Sequence, residues 1–217
     1  MEKRPLLIKE MLLEGWHFFK KNAVILILFQ IVIVLLGALM QFSGEGLIGL
    51  LIVILLWAAS IIVSIGLINS TLLITKDIKP TVHQMYKNWQ FFFPYLFAAI
   101  LFTVMFGIGL ILLIVPGLYI LARYALYPYF IVDKKNGPIE SLENAGSHSE
   151  GYRWKLFLLY VILFIFNVIG IALVVGIVLV PPYTWMVLAV AYKHIVEHEE
   201  VEIDAELLTE EDVKEIS

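Results

Sequence analysis

Three histidines, His17, His83 and His148, each stand six residues before a recurring position, at Ala23, Trp89 and Trp154. Imidazoles at equivalent places of three repeats, gathered around one axis, would hold a metal such as zinc or titrate together near pH ~6.5. The plainer reading is that helices lying in a membrane interface favour an amphipathic ring. His194 and His198 form a second pair at helical i, i+4 spacing, which is commonplace. Arg123 is the one base inside an apolar stretch. An intramembrane charge normally faces a cavity or a partner, and the planar guanidinium fork suits a phosphate or carboxylate head group. Asn167 lies at similar depth in a later stretch and is the structural alternative partner for Arg123. Asp133, Glu140 and Glu143 flank a helix start at Pro138, where carboxylates complement the N-terminal end of the macrodipole. Capping rather than acid–base work is the role expected of them. The chain has no cysteine, which excludes disulfides, thiolate metal sites, a cysteine nucleophile and S-palmitoylation. No nucleophile–base pair stands out, no cofactor is implied and nothing points to nucleic acid.

The elements that must position these groups are apolar. Of 217 residues, 61% are hydrophobic and only 16% charged, with a mean hydropathy of +0.91. A soluble chain is about 45–50% apolar and about 25% charged. The excess cannot be buried under a polar surface, so lipid is the expected solvent, crossed by runs of about 20 apolar residues. Six stretches qualify, at 23–40, 47–75, 91–115, 116–132, 156–180 and 181–192. The last two are one run divided at Pro181-Pro182, and Pro116-Gly117 makes the same break earlier, because proline fits only the first turn of a helix. An all-α integral membrane protein of six transmembrane helices follows. The segment at 1–21 interleaves acids with its bases and meets no small-residue cleavage site, so it is read as retained.

Charge sets the orientation. The turns at 41–46, Pro116 and Pro181 carry no base, whereas every lysine and arginine except Arg123 falls on the other side. The positive-inside rule makes that side cytoplasmic, with both termini on it. A repeat organises the chain. Trp89 and Trp154, Tyr95 and Tyr160, Pro116 and Pro181, and Tyr127 and Tyr192 all recur at one offset of 65 residues. The unit is a helical hairpin preceded by a cytoplasmic, interfacial amphipathic helix that opens after Pro5, Pro80 or Pro138. The repeats run at about 5–75, 78–133 and 138–195, within a membrane domain of 1–195. Residues 196–217 form an acidic tail, expected to be solvated and mobile.

One region carries a family likeness. It comprises Pro116-Gly117-Leu118-Tyr119, Arg123-Tyr124, Pro128, Val132-Asp133, Gly137-Pro138-Ile139-Glu140-Ser141-Leu142 and Gly151-Tyr152-Arg153-Trp154-Lys155-Leu156-Phe157. This resembles the membrane domain associated with some glycerophosphoryl diester phosphodiesterases and the related YciC-like inner-membrane proteins. The chain departs from that pattern at Ala145, at Gly146, where a bulky residue is expected, and at His148. The resemblance implies a cell (inner) membrane and about six spans. It implies no phosphodiesterase activity, because the catalytic groups of such fusions belong to a separate soluble barrel. The expectation is a non-enzymatic protein that binds lipid or a small amphiphile, or scaffolds a protein partner, at the cytoplasmic face. The alternative is a small transporter or channel with its site near Arg123.

Overall fold

A computed structural model of the protein describes residues 7–112, 114–173 and 176–216, and the side chains of 7–112, 115–173 and 176–197. All regular structure among the described residues is helical: α1 (Ile8–Met40), α2 (Gly46–Thr75), α3 (Gln84–Lys87), a 3-10 turn (Trp89–Phe91), α4 (Phe92–Leu112), α5 (Ile114–Tyr124), α6 (Tyr127–Asp133), α7 (Pro138–His148), α8 (Arg153–Ala172) and α9 (Gly176–Ile216). Among the described residues, six segments are long and apolar enough to cross a membrane: Ile8–Met40, Gly46–Thr75, Gln84–Leu112, Val115–Asp133, Arg153–Ala172 and Gly176–Glu197. The chain is therefore a multi-pass membrane protein.

Helix breaks fall a few residues before the prolines. α5 is described from Ile114, with Pro116 close to its start. The second break differs more from expectation. α8 ends at Ala172 and α9 starts at Gly176, so Pro181 and Pro182 lie inside α9. Pro181 offers no N–H to the carbonyl of Ile177, and Gln30 of α1 donates its Nε2 to that oxygen at 3.3 Å. A neighbouring helix thus satisfies the group the proline frees, which is how spanning helices tolerate proline. α9 continues to Ile216, because 183–216 contain neither glycine nor proline and are rich in helix-forming Glu, Leu and Lys.

The three segments that precede the spans take three forms. The first is continuous with α1, bent at Asn22 (φ −122°, ψ 18°), whose side-chain Nδ2 donates to the Phe18 carbonyl at 3.1 Å. The second is a single α-turn, α3, followed by the 3-10 turn, because Asn88 (φ −96°, ψ 20°) leaves the helical region between them. The third, α7, is a separate helix with Pro138 at its first position and the Gly137 N–H donating to Glu140 Oε2 at 3.2 Å. It buries Ser141, Leu142, Ala145 and Gly146.

α1 packs along α2 and α9, α4 along α5, and α8 along both α5 and α9; α6 sits against α2 and α7. The core lies where α6 and α9 cross the bundle. Residues 127–132 and 186–192 are each buried without interruption, and Leu67 and Ile68 of α2 and Leu159 and Leu163 of α8 close around them. Gly109 allows the approach of α4 to α5: a Cβ there would lie 2.9 Å from the Gly117 Cα. Gly170 and Gly176 meet in the same way at the start of α9.

Candidate functional site

The segment between α7 and α8 decides where the second arginine lands. Gly151, at φ +83°, takes a left-handed conformation that L side chains avoid, and it redirects the chain so that α8 starts at Arg153. The first turns of α8 then present Arg153, Trp154 and Phe157 to α5. α5 answers with Val115, Leu118, Tyr119 and Ala122, one face at i, i+3, i+4, i+7. Between them is a groove of about 320 Å³, almost wholly apolar apart from the guanidinium.

Arg153 lies over the Tyr119 ring, its Cζ 5.3 Å from the centroid, close enough for a cation–π contact. One terminal nitrogen reaches Glu150 Oε1 at 3.4 Å, a long contact to a carboxylate that is itself 72% exposed. An exposed pair of that kind contributes little. The Arg153 Nε is buried and has no hydrogen-bond partner among the described residues.

Arg123, one turn further along α5 than Tyr119, has its Cζ 5.0 Å from the Tyr124 ring, and its buried Nε is likewise unpartnered among the described residues. α7 covers both. A Cβ at Gly146 would come within 3.1 Å of Arg123 Nε and 2.9 Å of the Tyr124 ring, so glycine stands where a bulky residue is expected because α5 fills that space. Each unpaired guanidinium N–H is a desolvated donor that costs about 1–3 kcal/mol until an acceptor reaches it.

The other residues singled out by sequence are placed elsewhere. Asn167 does not meet Arg123: its Nδ2 donates to Thr184 Oγ1 and to the Leu163 carbonyl, both at 2.8 Å, and so links α8 to α9. Asp133 does not cap α7. It binds Lys76 at 2.6 Å and accepts from the Tyr192 hydroxyl at 2.9 Å, tying the ends of α2 and α6 to α9. Glu140 alone of the three acids caps, through Gly137. His17 packs edge-on to its neighbour Phe18, His83 Nδ1 pairs with the Tyr86 hydroxyl at 2.6 Å, and His148 Nδ1 pairs with the Asn144 carbonyl at 2.8 Å. No group of three metal-ligating side chains that could hold an ion occurs among the described residues. His194 bonds Glu14 of α1 at 2.9 Å, and the side chain of His198 lies outside the described residues.

Sequence reasoning counted Arg153 among the cytoplasmic bases and gave Tyr119 no role. The signal was nonetheless present. The two ends of the family-like motif, 116–124 and 151–157, are the two walls of one groove. No family model, curated protein or solved structure matches the chain.

Proposed function

We propose that this is a non-catalytic membrane protein that holds an amphiphile in the groove between α5 and α8. The observation that carries the reading is an apolar groove bordered by a guanidinium with an unused, desolvated donor. An acyl chain fits the apolar walls, and its polar end fits the cation. At about 320 Å³ the groove is at the small end of ligand pockets, which span about 300–1,000 Å³, so it takes one chain. Val115 and Trp154 at its rim are 74% and 81% exposed, which leaves the groove open to the bilayer as a lipid site requires. The ligand comes from the surrounding membrane lipids, and no cofactor takes part. The likeness to the phosphodiesterase-associated membrane domain belongs to the same proposal, because its motif residues line and support this groove.

The test is lipid retention. Full-length protein extracted in mild detergent and examined by native mass spectrometry is expected to keep one lipid. Leu118→Trp, which fills the groove from α5, is expected to release it, with Val115→Trp as a second variant at the exposed rim. Equal retention in wild type and both variants would overturn the reading.

In the proposed topology, three hairpins start and end at the cytoplasmic face of the cell membrane, each led by an interfacial segment. Both termini lie on that face. The absence of native cysteine allows a clean check. Single cysteines at Gly44 and at His148 are treated with an impermeant thiol reagent from outside. Labelling is expected at position 44 and not at 148, and the reverse pattern would sink the orientation.

A further inference from the structure

We infer that the α5–α8 groove selects an anionic phospholipid, whose phosphate is held by Arg153 in place of Glu150. This rests on the reading of the groove as a lipid site and adds the class of head group.

The argument is one of charge and geometry. The groove offers apolar lining to a chain and one cation, Arg153, to a head group. The carboxylate seen against Arg153 is Glu150, three residues earlier on the exposed loop, and it engages one guanidinium nitrogen at 3.4 Å. Guanidinium forms two parallel, charge-assisted hydrogen bonds to a phosphate, a geometry that one distant carboxylate oxygen leaves unfilled. The Tyr119 ring under the guanidinium keeps it at the groove while Glu150 swings into water. A zwitterionic lipid brings its own ammonium against the Arg153 guanidinium, so the net attraction falls on lipids without one. The exposed rim leaves the second chain of a diacyl lipid in the bilayer, which a closed fatty-acid pocket would not.

The experiment uses full-length protein equilibrated in mixed micelles with equal phosphatidylglycerol and phosphatidylcholine, plus palmitate as a single-chain competitor. Bound species are read by native mass spectrometry. Wild type is expected to hold phosphatidylglycerol over phosphatidylcholine by about tenfold, the ratio one well-made charged contact supplies. Arg153→Gln is expected to bring that ratio to the bulk value while the total lipid bound stays the same. Arg153→Lys keeps the charge without the fork and is expected to fall between. Glu150→Gln removes the competing carboxylate and is expected to raise the ratio. Arg123→Gln, on a residue outside the groove lining, is expected to leave the ratio close to wild type. Lipid retained at the bulk ratio in wild type would overturn head-group selection while the groove reading stands. No retained lipid at all would overturn the groove reading itself. Preferential retention of palmitate would overturn the assignment to a phospholipid.

Discussion

The α1–α2 pair and the α5–α9 region solve the same solvent problem in opposite ways. α1 and α2 are helices of 33 and 30 residues, about 50 and 45 Å long at 1.5 Å per residue. Glu45 is the only charge between Lys21 and Lys76. The far ends of both helices and the turn between them are exposed, with Leu35, Phe42, Leu47, Ile48 and Leu55 all turned outward. Along these outer stretches the backbone groups bond within each helix and the side chains are left to acyl chains, so few neighbours have to be correct there. The α5–α9 region is broken into short pieces, with residues 127–132 and 186–192 buried throughout. Polar groups there are met from other elements: Gln30 of α1 meets the Ile177 carbonyl, and Asp133 meets Lys76 and the Tyr192 hydroxyl. The lesson is that tolerance to substitution follows the number of freed polar groups and close backbone approaches, not hydropathy.

The sharpest way to break that comparison is at a backbone crossing. Gly109→Leu forces a side chain into the Gly117 backbone and the Ile120 side chain, and it is expected to destabilise by about 3 kcal/mol, read as a large fall in the thermal midpoint in detergent. A midpoint unchanged from wild type would mean that α4 and α5 do not cross there. Next is Asp133→Asn, which keeps the shape but loses the charge that faces Lys76 and Tyr192; a cost of about 1–3 kcal/mol is expected. If Lys76→Met costs the same alone and adds nothing to Asp133→Asn, the two residues act as one unit, and additivity would show the opposite. The smallest effect belongs to the other region. A Cβ added at Gly37 of α1 would meet nothing within 4 Å, so Gly37→Ala is expected to stabilise by about 0.5–1 kcal/mol through helix propensity alone. A loss of stability there would place a packed neighbour on the α1–α2 pair and erase the contrast.

Much of this was legible from residue types. Six spans, the Pro138 helix start and the capping by Glu140 all depend on neighbours a few positions away or on local composition. The proline breaks were located only to within several residues. Whether Pro181 ends a helix depends on whether something else satisfies Ile177, and that group belongs to Gln30, far away in the chain. The length of the middle interfacial segment turned on the backbone of Asn88, which apolar periodicity does not report.

The sequence by itself determined that this chain lives in lipid and crosses it with helices about as long as a bilayer is thick, because hydropathy is a local sum and the solvent responds to it directly. Tertiary structure alone decided that Arg153 rather than Asn167 stands at the candidate site, that Asp133 ties three helices together instead of capping one, and that the three histidines have separate neighbours. The physical reason lies in the solvent. To an apolar side chain, lipid and a neighbouring helix are nearly equivalent surroundings, so apolar pattern records burial in something but not in what. Only the few polar groups distinguish one neighbour from another, and their partners lie on other helices, at sequence distances that no local pattern spans.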